Sequence, residues 1–269
     1  MILNEPMIDY LTLTTFDGEL ATKWHKEHFL KVEVEEKKVM QYQGAMIYKN
    51  GGSWFLGVGE QKGEPHYMLQ VSGGAGSVAF DLYKAYILDG TAKPTRIDLQ
   101  LTIDKPIGWS QSDLIIKCEQ KGLKPRVERS SGEYGELITV YTGTRASGRM
   151  NRTYEKESKD GDRYVRFETE FGRGYSLPVA HSLAVGDANI QDFINGEVRR
   201  RKDVDMFQFF SVGEGVELPK AKQVKATSKT ERWLLNVVLP CIVKYKNAHD
   251  SDPKIIRMIE KACKEENHE

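Results

Sequence analysis

Apolar and polar residues alternate along 8–16 (IDYLTLTTF), the period of a strand with one buried face. Asp17 and Gly18 then turn the chain into a short helix over 19–30. Residues 39–48 and 53–58 are apolar-rich strands flanking Lys49-Asn50-Gly51-Gly52. An Asn-Gly step between two such runs predicts a tight hairpin, because both central residues of that turn take positive φ. A further strand at 66–71 ends in Ser72-Gly73-Gly74-Ala75-Gly76. Beyond it Val78, Phe80, Leu82, Tyr83, Tyr86 and Ile87 recur at helical spacing until Asp89-Gly90.

The same grammar continues with a strand at 96–104, a helix at 111–120 with Gly122 just past its end, and strands at 136–141, 149–156 and 163–171. From Ile190 the pattern is mostly helical. Ser228-Lys229-Thr230-Glu231 has capping-box spacing before an apolar run that Pro240 must kink or end, and Asp252-Pro253 opens a last amphipathic helix. Hairpins and meanders with interspersed helices predict an α+β fold: a mostly antiparallel, curved β-sheet with flanking helices and a helical C-terminal part. The expected division is a catalytic core over 1–185 and a mainly helical region over 186–269.

Composition narrows the class. The chain has 269 residues, 39% hydrophobic and 10% aromatic, too apolar for disorder, and no apolar run approaches membrane-spanning length. Cys118, Cys241 and Cys263 are odd in number and widely spaced, so they build neither a disulfide framework nor a zinc knuckle, and a reducing cytoplasm without membrane attachment is expected. Lys plus Arg and Asp plus Glu both number 39. Zero net charge argues against a passive nucleic-acid coat protein, though a local basic patch beside an acidic centre gives the same balance.

Three strands carry the candidate chemistry. In 96–104 the odd positions Ile97, Leu99, Leu101 and Ile103 are aliphatic, while Arg96, Asp98, Gln100, Thr102 and Asp104 share the other face. In 163–171, Tyr164, Arg166, Glu168 and Glu170 share one parity, and in 149–156 Met150, Arg152, Tyr154 and Lys156 do. Read alone, such faces are solvated sides of half-buried strands. Their composition, acids on two strands and cations with a tyrosine on a third, suits one reaction class. A phenol near pKa ~10 needs cations or a base to become a nucleophile. Oxygen ligands without His or Cys favour Mg²⁺ or Mn²⁺, which polarise a phosphoryl oxygen. Metal-assisted attack of tyrosine on a DNA phosphodiester uses all of these parts.

Five segments, in order, resemble the trans-acting replication initiation factors of rolling-circle plasmids and filamentous phages: Ile8-Asp9-Tyr10-Leu11-Thr12-Leu13-Thr14; Val71-Ser72-Gly73-Gly74-Ala75; Arg96-Ile97-Asp98-Leu99 with Asp104; Tyr141 to Ser147 followed by Arg152-Thr153-Tyr154-Glu155-Lys156; and Arg166-Phe167-Glu168-Thr169-Glu170. Thr230-Glu231-Arg232-Trp233-Leu234 with Pro240 is also similar. Thr144 and Thr153 depart from the serine and the aliphatic residue usual in that family. The resemblance implies RRM/HUH-like core elements and an enzyme that nicks origin DNA, forming a 5′-phosphotyrosine link and a free 3′ hydroxyl, and later rejoins the strand. It implies Tyr154 as nucleophile; Tyr164, which shares the acidic face of its own strand, is the next candidate on position alone. Asp98 and Glu168 become the metal ligands, with Glu170 or Asp104 as a third, for Mg²⁺ or Mn²⁺. Arg145, Lys156 and Arg166 become the scissile-phosphate contacts. Homodimerisation and a host helicase partner are further implications. Arg152 and the run Arg199, Arg200, Arg201 and Lys202 are the places to look for DNA contacts.

Two other readings compete: a non-catalytic DNA-binding regulator or phage protein on the same scaffold, and an unrelated α+β interaction module, which zero net charge favours. Other signals point to structure. His25 and His28 have no evident third metal ligand and read as a surface pair. Ser72 to Gly76 lacks a P-loop lysine and reads as a tight strand-to-helix turn.

Overall fold

The computed structural model describes residues 5–30, 32–132, 135–157, 161–201, 204–211, 215–216 and 218. Ten strands form one antiparallel sheet in the order β2-β3-β4-β5-β1-β6-β10-β9-β8-β7. They are β1 (Met7–Thr15), β2 (Glu35–Val39), β3 (Tyr42–Lys49), β4 (Gly52–Gln61), β5 (Glu64–Gly73), β6 (Lys93–Asp104), β7 (Arg126–Gly132), β8 (Gly135–Thr144), β9 (Arg149–Glu157) and β10 (Arg163–Gly172). The helices are α1 (Gly18–Trp24), continued by a π-helical turn His25–Phe29, α2 (Ala75–Leu88), α3 (Gln111–Gln120), α4 (Arg173–Val185) and α5 (Ile190–Arg199). The fold is therefore α+β with a large antiparallel sheet. Among the described residues no helix is long and apolar enough to cross a membrane.

Alternation dictates the layers. Ile97, Leu99 and Leu101 of β6 lie opposite Phe171, Thr169 and Phe167 of β10, and Leu11 and Leu13 of β1 extend the same apolar face. Helices α2, α4 and α5 pack against these strands, contributing buried Ala79, Phe80, Val179, Ala180, Phe193 and Ile194. Phe210 stacks on Phe167 with ring centroids 5.3 Å apart, and Phe207 meets the same ring edge-on at 5.8 Å. Residues beyond 185 thus contribute directly to the core of the sheet. A second apolar cluster, Tyr42, Met46, Phe55 and Met68, belongs to the β3–β5 half.

Turn chemistry behaves as the sequence predicts at two points. Asn50 and Gly51 both take positive φ, 54° and 73°, closing the β3–β4 hairpin. Gly76, in the first turn of α2, lies so close to β1 that a Cβ there would be 2.3 Å from the Ile8 carbonyl oxygen. The glycine-rich turn is required by packing.

Several elements differ from expectation. Residues 39–48 are not one strand: β2 ends at Val39, Met40 turns with φ 54°, and β3 starts at Tyr42. β7 and α4 have no counterpart in the sequence reading, and α4 accommodates Pro178 inside it. His28 is buried, not a surface residue, with its ring hydrogen-bonded to the Tyr83 hydroxyl and, 2.6 Å away, to Lys49 Nζ. The C-terminal unit, Lys220–Glu269, including the expected helices around 228–240 and 252–262, lies outside the described residues, as does Lys202.

Candidate active site

Strand pairing alone brings the chemistry-bearing residues together. Across β10 and β9, Arg166 faces Tyr154 and Glu168 faces Arg152; across β10 and β6, Glu170 faces Asp98 and Glu168 faces Gln100. On β1 a register shift between Ile8 and Tyr10 inserts Asp9 as an extra residue, and Tyr10 falls opposite Asp98. Four neighbouring strands, β1, β6, β10 and β9, therefore share one polar face.

That face is not solvated. Asp98 is fully buried and Glu168 is 3% exposed, with Arg166 and Glu170 also buried. Such burial demands pairing, and the arginines supply it. Arg152 Nη2 lies 2.7 Å from both Asp98 Oδ2 and Glu168 Oε2. Arg96 reaches Asp98 at 2.5 Å and Glu170 at 3.1 Å, and its guanidinium lies 4.0 Å from the Tyr10 ring centroid. Arg145, largely exposed on the short turn Arg145–Ser147, reaches inward to Glu170 at 3.0 Å. Arg166 Nη1 stands 3.7 Å from Glu168 and 4.0 Å from Asp9, while its Nε donates to Thr102 at 2.9 Å.

The Tyr154 hydroxyl donates to Glu168 Oε1. Burial, then the charge of Glu168, raises the phenol above its ordinary pKa, while Arg166 opposes the shift. Tyr154 is therefore neutral at rest, with its hydroxyl hydrogen-bonded to the Glu168 side chain. Lys156 Nζ lies 5.8 Å from the Tyr154 ring centroid, and burial followed by repulsion from Arg166 lowers its pKa. Burial pushes the Asp98 carboxyl up to about 6, against the pull of Arg96 and Arg152 and helped by Glu170. Five cationic side chains (Arg96, Arg145, Arg152, Lys156 and Arg166) accompany four carboxylates (Asp9, Asp98, Glu168 and Glu170), an excess of one positive charge. Arg152 Nε is buried without a hydrogen-bond partner, an unused donor on a guanidinium whose other end holds two acids.

The oxygen donors suit a hard divalent cation, but their arrangement does not fit one. The position between Asp98 and Glu168 is filled by the Arg152 guanidinium, and that between Asp98 and Glu170 by Arg96. Among the described residues no group of three or more His, Cys, Asp or Glu side chains is placed to hold a metal ion.

Asp104 is exposed at the end of β6 opposite Tyr164, away from the paired acids at 98, 168 and 170. Tyr164 instead donates to Asp162 at 3.1 Å. Arg201 is not a surface cation. It is buried against Glu197 at 3.1 Å and Thr142 at 2.8 Å, and burial lowers its pKa to about 10 despite Glu197. Arg199 is exposed, and Arg200 pairs with Glu197 at 2.8 Å. Asp9 and Arg96, absent from the sequence-derived site residues, belong to the cluster. The signal for Asp9 was a break in phase: the buried positions of β1 run Ile8, Leu11, Leu13, with three residues in the first interval and two in the second.

No protein-family model matches the chain, and no curated protein matches it. Among solved structures, the crystal structure of DynU16, a protein in the dynemicin biosynthetic locus, is similar over 56% of this chain and 73% of that one, at 9% sequence identity and a TM-score of 0.18. That likeness is too slight to bear on fold or function.

Proposed function

We propose that the chain is a rolling-circle replication initiator that nicks and rejoins DNA through Tyr154. The observation that carries the reading is the Tyr154–Glu168 hydrogen bond set among Arg152 and Arg166. Glu168 acts as general base and takes the phenolic proton as Tyr154 Oη attacks the phosphorus. The P–O3′ bond breaks, the 5′ phosphate remains on Tyr154, and the 3′ oxygen takes a proton from water, whose hydroxide in turn takes the proton held by Glu168. Rejoining is the reverse exchange, in which the 3′ hydroxyl attacks the phosphotyrosine and the phenol leaves. One phosphodiester is traded for another, so no oxidant or energy source is needed. Arg152, Arg166 and Lys156 stabilise the charge that builds on the phosphoryl oxygens, where a dry site makes each donor count most. Arg145, exposed at the rim, meets the incoming backbone.

The RRM/HUH-like identity of the sheet, origin DNA as substrate, the homodimer and a host helicase partner belong to this proposal and rest on the sequence resemblance, while the helical C-terminal part rests on the residue pattern beyond Ile190 and the cytoplasmic location on the three widely spaced cysteines. Mg²⁺ or Mn²⁺ would reach Asp98 and Glu168 only by displacing Arg152. The test uses single-stranded oligonucleotides tiled across the DNA flanking the coding region, incubated with the full chain in Mg²⁺, in Mn²⁺ and in chelator. A covalent adduct formed by the native chain and abolished by Tyr154→Phe, with DNA binding retained, is the expected outcome. DNA binding without any adduct would favour the non-catalytic regulator, and no binding at low salt would favour an interaction module.

A further inference from the structure

Asp9 owes its place at the site to a fault in its strand. Ile8 and Leu11 both face the apolar layer, so the two residues between them must be absorbed on the other side, and the register shift against β6 does this. Bulges bend a strand and re-aim a side chain, and they concentrate beside active sites. Here the bulge sets a carboxylate 4.0 Å from Arg166 Nη1, on a guanidinium whose Nη1 also lies 3.7 Å from Glu168 Oε1, the atom that accepts from Tyr154. A chain of contacts thus runs Asp9, Arg166, Glu168, Tyr154, from β1 to β10 and β9. The Asp9 side chain is 21% exposed and belongs to no helix cap or turn, so local backbone needs do not explain it.

We infer that Asp9 is a positioning residue for the nicking reaction, holding Arg166 between two carboxylates so that its guanidinium faces the attacked phosphate instead of closing onto Glu168. Arg166 on its own would draw toward Glu168, the nearer acid, and neutralise the base that Tyr154 needs. A second carboxylate on the far side shares that charge, while the Thr102 hydroxyl fixes Nε at 2.9 Å. Burial and the nearby charge of Glu168 raise the Asp9 pKa, while Arg166, Arg152 and Lys156 oppose the rise, the signature of a carboxylate set among these groups. The role rests on the nicking reading above.

The test compares the full chain with Asp9→Asn and Asp9→Glu, using the tiled oligonucleotide that forms the adduct. Asp9→Asn should slow adduct formation at saturating DNA by about 10- to 100-fold, leave DNA affinity within about 2-fold of native, and regain rate in Asp9→Glu. A native rate in Asp9→Asn would overturn the inference. A thermal-melting cycle with Arg166→Gln supplies a readout independent of activity: the shift caused by Asp9→Asn should vanish once Arg166 is replaced, and an unchanged shift would overturn the pairing. Should Arg166→Gln fail to fold, the ¹⁵N resonance of Arg166 Nε–H in Asp9→Asn decides the same point, since it must move from its native position. If the native chain forms no adduct with any oligonucleotide, the nicking reading fails, and melting or resonance alone decides whether Asp9 positions Arg166.

Discussion

Tyr154 on β9 donates its hydroxyl hydrogen to Glu168 on β10, although the residue directly opposite it in register is Arg166. In the proposed nicking reaction, this diagonal contact assigns the phenolic proton to Glu168 and leaves Arg166 alongside for the phosphate. Glu168→Gln keeps the shape and an oxygen acceptor but removes the base. Adduct formation should fall by about 10²- to 10⁴-fold, with DNA affinity held or increased, as measured by single-turnover gel assays and fluorescence anisotropy.

Arg152 bridges Asp98 and Glu168, both essentially buried. Removing one partner of a buried ion network leaves the others uncompensated, so Arg152→Ala should lose about 3–5 kcal/mol of stability. The same deletion vacates the position a divalent ion would need. Manganese titration followed by electron paramagnetic resonance should show weak binding by the native chain without DNA and tighter binding by Arg152→Ala. Equal affinities would mean that Arg152 does not compete with the ion.

How far alternation carries is visible in these residues. It placed Asp98, Glu168, Tyr154 and Arg152 on common faces, because a period of two fixes parity whatever the strand order. It does not distinguish a solvated face from one whose charges bury each other, since both read as polar, and so the burial of Glu168 and Arg166 is invisible to it. The bulge at Asp9 breaks the period and hid that residue. The edge strands β2 (EEKKV) and β7 (RVERSSG) carry charge where a central strand carries aliphatic residues, a common protection against edge pairing that also erases the strand signal. Pro178 masked α4, and the cationic run around 199–201 concealed Arg201, whose partners Glu197 and Thr142 make an interior network.

His28 gives a pH test that does not depend on DNA. Burial, then the Lys49 charge, lowers its pKa to about 4, while Glu27 opposes. The unfolded chain therefore binds the proton first as pH falls, so the stability His28 contributes is present above pH 6.5 and lost between about 6.5 and 4. Asp98, raised to about 6, works in the opposite sense, its contribution being full below about 3.8 and lost as pH rises through 6. The two partly cancel in the native chain, so the informative quantity is the stability gap between native protein and His28→Gln. That gap, from urea unfolding at several pH values, should stay nearly level above about pH 6.5 and narrow from there to about pH 4.

Phe167 joins the sheet to the residues that follow α5, through its contacts with Phe207 and Phe210. Phe167→Ala should cost about 3–5 kcal/mol and expose the segment after residue 200 to limited proteolysis before the rest of the sheet. Simultaneous cleavage throughout would contradict this packing.

Peptide mass spectrometry of the nuclease-trimmed adduct bears most directly on the proposed function. The expected spectrum carries a nucleotide phosphate on the peptide containing Tyr154 and on no other tyrosine peptide. A nucleotide on Tyr164 or Tyr10, or DNA cleaved with every tyrosine unmodified, would contradict the assignment.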